Sequence, residues 1–221
     1  TSLLSFAACL LLVATKKFHG RFTLDASHGI QRAHSMPTPR VGGLGVYLSL
    51  LGADLMLADT ETGTLLTYML LAGLPAFVVG FMEDLFKRGE VWGRLSATFA
   101  SALVACWLFN LSLTRVDVPG FDLLLTWLPF SVAFTALGVA GVANAVNIID
   151  GFNGLAAGTV MVAAAALGLI AWQAGDAPLA GVCLVLVFAV LGFGAMNFPL
   201  GKIFLGDGGA YLLGFMLGWL A

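Results

Sequence analysis

The chain has 221 residues, 60% of them apolar and only 10% charged, with a formal net charge of -2. Soluble domains carry roughly 25% charged residues, so this much apolar surface needs lipid around it, and a soluble fold is excluded. No basic stripe of the kind that binds nucleic acid runs through it, so composition points to membrane lipid as a partner and against nucleic acid.

Eight apolar stretches read as helices: residues 2–15, 41–58, 65–82, 95–113, 125–143, 154–173, 178–196 and 208–221. The fold class is therefore all-α, a polytopic membrane helix bundle of about eight transmembrane helices. No linker or low-complexity segment divides it, so residues 1–221 read as a single integral membrane domain. The chain starts at Thr1 with no signal-peptide pattern, and its outermost apolar runs are short and abrupt. It is expected to be a fragment cut at both ends. Cys9, Cys106 and Cys183 lie far apart inside apolar stretches, as packing residues rather than a metal centre or disulfide framework.

Eight crossings place loops 16–40, 83–94, 144–153 and 197–207 on one side of the bilayer. Lys16, Lys17, Arg21, Arg32, Arg40, Lys87, Arg88, Arg94 and Lys202 fall on that side, and only Arg115 falls on the other. By the positive-inside rule the first side is cytoplasmic. On the outer side, alternation around Pro119-Gly120 predicts a small hairpin over 116–122. Asp54, near the outer end of the second stretch, is given no role.

Each cytoplasmic loop carries one polar cluster. In the first, His34-Ser35-Met36-Pro37-Thr38-Pro39-Arg40-Val41-Gly42-Gly43, the prolines stiffen the chain and the glycines permit close backbone approach. Arg40 is then a fixed cation suited to a phosphate, or simply a positive-inside anchor. The second is Glu83-Asp84. Burying adjacent carboxylates together is costly unless a cation accompanies them, so the pair could bind Mg²⁺ or supply a base, or it could be a solvated helix end. The third is Asn144-Ala-Val-Asn147-Ile-Ile-Asp150-Gly151-Phe152-Asn153-Gly154. Polar groups at such spacing among Ala, Val and Ile are costly in lipid unless they line a polar cavity or bond between helices. The fourth, Lys202-Ile-Phe-Leu-Gly206-Asp207-Gly208-Gly209-Ala210, has the composition of a phosphate cradle around a metal-binding carboxylate, or of a plain turn. A shared Mg²⁺–pyrophosphate site accounts for all four at once.

These motifs resemble the polyprenyl-phosphate N-acetylhexosamine-1-phosphate transferase family. That family includes the phospho-N-acetylmuramoyl-pentapeptide transferase of peptidoglycan synthesis and the N-acetylglucosamine-1-phosphate transferases of O-antigen and teichoic acid synthesis. The resemblance runs from His34 to Phe215; Asn144-x-x-Asn147-x-x-Asp150-Gly151 and Phe204-Leu205-Gly206-Asp207-Gly208 are its specific parts. Pro37-Thr38-Pro39-Arg40-x-Gly42-Gly43 is closer to the branch using simple nucleotide sugars. The chain departs from the family pattern with Glu83-Asp84 for Asp-Asp, Asn153 for the second Asp of Asp-Gly-x-Asp-Gly, and Ala210 for a Ser. These departures resemble a bacterial subgroup carrying Glu-Asp-Leu and Asp-Gly-Phe-Asn-Gly. The family's late cytoplasmic histidine motif is absent, and His19, His28 and His34 in the first loop do not replace it.

The resemblance implies transfer of N-acetylhexosamine-1-phosphate from a UDP-sugar to undecaprenyl phosphate, with release of UMP, at the cytoplasmic face of a bacterial inner membrane. It implies Mg²⁺ as cofactor, with Mn²⁺ able to replace it. Asp207 would be a direct metal ligand with Asp84 beside it. Glu83, Asp84 and Asp150 would be the catalytic carboxylates. Arg40, Asn144, Asn147, Asn153 and Lys202 would bind substrate. A homodimer is compatible with this reading. The rival readings are a transporter or lipid-binding membrane protein, and a catalytically inactive homologue; transporter sites, however, tend to lie at the bilayer midplane.

Overall fold

The apolar runs fold as helices wherever a capping side chain, a proline or a turn bounds them. The computed structural model describes residues 1–25, 38–87 and 91–221. In chain order its elements are α1 (Ser2–Ala14), α2 (Lys16–Thr23), β1 (Leu24–Asp25), β2 (Thr38–Pro39), α3 (Gly42–Met56), α4 (Glu61–Phe86), α5 (Val91–Phe109), α6 (Phe121–Leu125), α7 (Leu128–Ile149), α8 (Leu155–Gln173), α9 (Ala177–Asn197) and α10 (Gly206–Leu220). His28, Arg32, the cluster residues His34-Ser35-Met36-Pro37, and Arg88 lie outside the described residues.

Local chemistry sets the boundaries. The Thr60 hydroxyl accepts from the Gly63 N–H at 3.0 Å to open α4, and the Asp176 carboxylate accepts from the Leu179 N–H at 3.0 Å to open α9. Pro129 and Pro178 sit in the first turns of α7 and α9, where a missing N–H costs nothing. Pro75 interrupts α4, and the buried Ser101 hydroxyl on α5 accepts from the Ala76 N–H there at 3.0 Å. A neighbouring helix thus satisfies the backbone where lipid cannot.

Eight helices, α1, α3, α4, α5, α7, α8, α9 and α10, fall over the eight predicted stretches, and the protein is a multi-pass helical membrane bundle. By length and composition, α4, α5, α7, α8 and α9 can each cross a bilayer, and α1 with α2 makes a sixth candidate bent by 86°. The helix α3 is a shorter apolar one, and α10 has 15 residues. The helices match the predicted stretches; the candidate crossings by this measure number five or six among the described residues.

Two local expectations are corrected. Residues 16–23 form α2 rather than loop, because two turns of mixed Lys, Phe and Gly are too short to stand out by periodicity. The predicted hairpin over 116–122 does not form. Within the segment the Asp122 carboxylate accepts from the Val116 N–H, and just before it the Thr135 hydroxyl accepts from the Leu113 N–H while the Ser131 hydroxyl donates to the Leu113 carbonyl. Asp54 accepts from the Thr67 hydroxyl at 2.7 Å, so this carboxylate on α3 is held by α4.

The core is organised around α10. It packs against α4 and α7, touches α3, α5 and α8, and is buried along almost its whole length. A helix apolar all round belongs in a protein interior. Glycines let its first turn sit backbone to backbone with two neighbours. A Cβ on Gly43 of α3 would collide with the Cα of Gly209, and one on Gly80 of α4 would stand 2.7 Å from the Asp207 carbonyl. Gly80→Val is therefore expected to destabilise the protein by about 1–3 kcal/mol through overpacking. Gly138→Ala on α7, where nothing lies within 4 Å of the added Cβ, is expected to be neutral or slightly stabilising. Unfolding by sodium dodecyl sulfate, followed by circular dichroism, checks both.

Candidate active site

The first turn of α10 gathers the four clusters. Gly206 takes a left-handed conformation (φ 79°), and a Cβ there would strike the Arg40 carbonyl and the Asp84 carboxylate. The chain thus needs glycine at the point where it turns into α10. Asp84, at the end of α4, is 6% exposed, and its two oxygens accept from the N–H groups of Asp207 at 2.9 Å and Gly208 at 3.0 Å. A carboxylate at a helix N-terminus satisfies orphan donors and faces the positive end of the helix dipole.

Asp207 then projects among side chains from three other elements. Its Oδ1 accepts from Asn147 Nδ2 at 2.9 Å and lies 3.3 Å from Arg40 Nη2; its Oδ2 is 3.9 Å from Arg94 Nη1. The same Arg94 nitrogen is 2.6 Å from Glu83 Oε1. Tyr211, one helical turn beyond Asp207, donates its hydroxyl to Asn147 Oδ1 at 3.1 Å. That bond turns the Asn147 amide so that its NH₂ faces Asp207. Asp150, just past the end of α7, is electrostatically coupled to Arg40, Asp207 and Asp84 and is hydrogen-bonded to the Gly206 backbone. Burial pushes its carboxyl from the ordinary 3.8 up to about 7; Arg40 and the Gly206 hydrogen bond oppose that rise, while Asp207 and Asp84 add to it.

The backbone frame is tied with equal care. The N–H groups of Gly42 and Gly43 donate to the carbonyls of Phe204 and Leu205 at 2.8 and 2.7 Å, and the Phe204 N–H donates to the Pro39 carbonyl at 2.8 Å. Asn197, 5% exposed, accepts from the Gly154 N–H at 2.6 Å and donates to the Ile203 carbonyl at 2.9 Å. It locks the third cluster to the fourth.

Of the residues expected from sequence, Arg40, Glu83, Asp84, Asn147, Asp150 and Asp207 come together. Asn144 instead turns back, donating to the Ala140 carbonyl at 2.8 Å and to the Thr98 hydroxyl at 3.3 Å. Asn153 is exposed and lies against Gly201. Lys202 is exposed and joins no hydrogen bond or ion pair to the carboxylates among the described residues. Sequence reasoning missed Arg94, counted only as a flanking charge, and Tyr211 and Asn197, which lie within or at the end of apolar runs. The four-residue step from Asp207 to Tyr211 was the one available signal.

The chemistry of the donors is that of a site for a hard divalent cation completed by other ligands. The donors are carboxylate oxygens, and Glu83 Oε2 is buried with no hydrogen-bond partner among the described residues. No group of three or more His, Cys, Asp or Glu residues is placed to hold a metal ion by itself among the described residues. Mg²⁺ commonly takes one or two carboxylates, with phosphate oxygens and water filling its shell.

A family model described as glycosyl transferase family 4 matches residues 66–221. A decaprenyl-phosphate N-acetylglucosaminephosphotransferase of Mycolicibacterium smegmatis is 32% identical over 84% of this chain and 49% of its own length. A probable undecaprenyl-phosphate N-acetylglucosaminyl 1-phosphate transferase of Bacillus subtilis is 26% identical over 86% of this chain and 52% of its own. A phospho-N-acetylmuramoyl-pentapeptide-transferase of Anoxybacillus flavithermus is 35% identical over 80% and 58%. The chain spans about half the length of such relatives.

Asp84→Ala strips two buried N–H groups of their acceptor and is expected to cost about 2–3 kcal/mol. Asp84→Asn, which keeps one acceptor oxygen, should cost roughly half as much, with detergent-denaturation midpoints as the readout. A pH effect follows from Asp150. The folded protein holds its proton more tightly than the unfolded chain, so its contribution to stability is present below the ordinary 3.8 and is lost as pH rises towards about 7. In chelator-treated protein, Asp150→Asn should flatten that part of the curve of melting temperature against pH.

Proposed function

This chain belongs to glycosyl transferase family 4, and on that footing we propose that it transfers N-acetylhexosamine-1-phosphate from a UDP-sugar to undecaprenyl phosphate and releases UMP. We place the reaction at the cytoplasmic face of a bacterial inner membrane; the Lys/Arg asymmetry across the eight predicted stretches supports that side. The names of the relatives, which speak of polyprenyl-phosphate acceptors and N-acetylglucosamine phosphate, support the substrate class. The observation that carries the reading is the convergence of Asp207, Glu83, Asp84 and Asp150 with Arg40 and Arg94 on one helix end.

In this reading an oxygen of the lipid phosphate attacks the β-phosphorus of the UDP-sugar. A new P–O bond forms, the bond to the α-phosphate oxygen breaks, and UMP leaves with that electron pair. Asp207 would hold Mg²⁺, or Mn²⁺ in its place; bound there, the cation neutralises the pyrophosphate and stabilises the leaving nucleotide phosphate. Asp84 holds Asp207 in place by accepting two α10 backbone N–H groups, and the second lone pair on each of its oxygens leaves it able to share the cation with Asp207. Arg40 and Arg94 exchange their carboxylate partners for phosphate oxygens, which a guanidinium fork suits. Glu83, released from Arg94, orients the lipid phosphate or takes its remaining proton. Asn147, oriented by Tyr211, positions the Asp207 carboxylate.

The test is UMP release by the full-length protein, given UDP-N-acetylglucosamine, undecaprenyl phosphate and Mg²⁺. Asp207→Asn should lower kcat by about 100-fold or more while leaving the denaturation midpoint close to that of the parent. Turnover retained in that variant would remove Asp207 from the metal role. No UMP with any UDP-sugar tried would sink the reading.

A further inference from the structure

The helix α2 has no part in the site just described, and its surface is unusual. Apolar α1 packs beside α3 and α9, and α2 leaves it at 86°. With α1 upright in the bilayer, α2 therefore lies in the membrane plane. The bend is pinned by His19, whose ring nitrogens lie 2.7 Å from the Thr23 hydroxyl and 2.9 Å from the Leu12 carbonyl. Gly20 and Thr23 form the buried edge of α2, which touches α4.

The outward half is amphipathic. Phe18 and Phe22, four apart and so on one edge, are 90% and 53% exposed. Lys17 and Arg21, also four apart, form the neighbouring exposed edge, exposed Lys16 stands at the start, and α2 contains no acidic residue. The Arg21 guanidinium lies 6.0 Å from the centre of the Phe22 ring. Two bare phenylalanines beside three cations suit a bilayer interface, with rings at the acyl boundary and cations among anionic headgroups.

We propose that α2 is an interfacial helix that seats Phe18 and Phe22 in the bilayer surface and binds anionic phospholipid headgroups through Lys16, Lys17 and Arg21. Its continuity with α1 holds it at the membrane edge, and its charge is complementary to that surface. This contact bears on the site by a short path. The Thr23 carbonyl accepts from the Arg40 N–H at 2.9 Å, and Leu24 pairs with Pro39 across the two-stranded ladder. The headgroup-bound helix thus steadies the segment that presents Arg40 to Asp207. The inference rests on the membrane bundle and stands apart from the transferase reading.

The test places a nitroxide label at position 17, 18, 21 or 22 by single cysteine substitution in the whole chain. The buried native cysteines are checked by labelling the unsubstituted protein. The protein is reconstituted in vesicles of phosphatidylcholine alone, or of phosphatidylcholine and phosphatidylglycerol in equal parts, and relaxation by oxygen is compared with relaxation by a water-soluble nickel complex. Labels at 18 and 22 are expected to favour oxygen in the mixed vesicles, and labels at 17 and 21 to favour nickel. Each cation near an anionic surface gives roughly a fivefold preference. The oxygen bias at 18 should therefore weaken severalfold in K16Q/K17Q/R21Q, in phosphatidylcholine alone and in molar salt. Nickel bias at all four positions in both vesicle types overturns the interfacial seat. An oxygen bias at 18 that is indifferent to lipid charge, salt and the triple substitution overturns the headgroup contact.

Discussion

The arrangement depends on one carboxylate accepting two backbone N–H groups. The helix α10 begins inside the bundle, where its first donors have no water to fall back on, and each would cost about 1–3 kcal/mol if left unpaired. Asp84 supplies both acceptors from the last turn of α4. Helix-dipole attraction adds to the two hydrogen bonds, so the end of one helix is fixed against the start of another. Gly80 and Gly43 make the fit possible by removing the side chains that would separate α4 and α3 from the α10 backbone. Where the first turn of α10 goes, Asp207 goes with it.

The rest of the site can be ordered from that anchor. Asn147 comes from α7 and is aimed by Tyr211 of α10; Arg94 comes from the start of α5 and bridges to Glu83; Arg40 arrives on the strand segment bonded to residues 204 and 205. Four carboxylates in so small a volume repel one another, and two guanidiniums interleaved with them offset that repulsion. Asp150 shows what remains: even with Arg40 acting on it, burial and its acidic neighbours hold its carboxyl near 7. A further cation would relieve the cluster, and that is the electrostatic case for a divalent ion here.

Much of this was legible before any coordinates. Apolar run length located eight helices, because membrane segments carry a signal that few other folds imitate, and polar residues amid apolar ones marked the clusters that meet at the first turn of α10. What stayed hidden has physical reasons. The two-turn helix α2 is too brief for periodicity to register. The 116–122 segment has strand-like alternation, but the Asp122 carboxylate takes the Val116 N–H, and hydroxyls from α7 hold the backbone at Leu113 just before it. Within the site, acidic residues among apolar neighbours announced themselves. Arg94 looked like any juxtamembrane cation, and Tyr211 and Asn197 looked like span residues. Asn144 misled in the opposite sense: it shares a three-residue spacing with Asn147 and Asp150, yet three residues on an α-helix turn a side chain by about 300°, enough to direct it towards Thr98.

Two neighbouring aspartates of the cluster differ in what holds them. Asp84 is buried and Asp207 partly so, and both accept more than one hydrogen bond. Their partners differ. Asp84 is bound to backbone N–H groups that cannot leave without unwinding α10. Asp207 is bound to an amide and two guanidiniums at the ends of side chains that can swing to a new anion without moving a helix. The first set of bonds stores rigidity; the second stores exchangeable charge. Under the proposed reaction, a pyrophosphate entering between Arg40 and Arg94 would take over contacts that Asp207 now holds and would free that carboxylate for a cation.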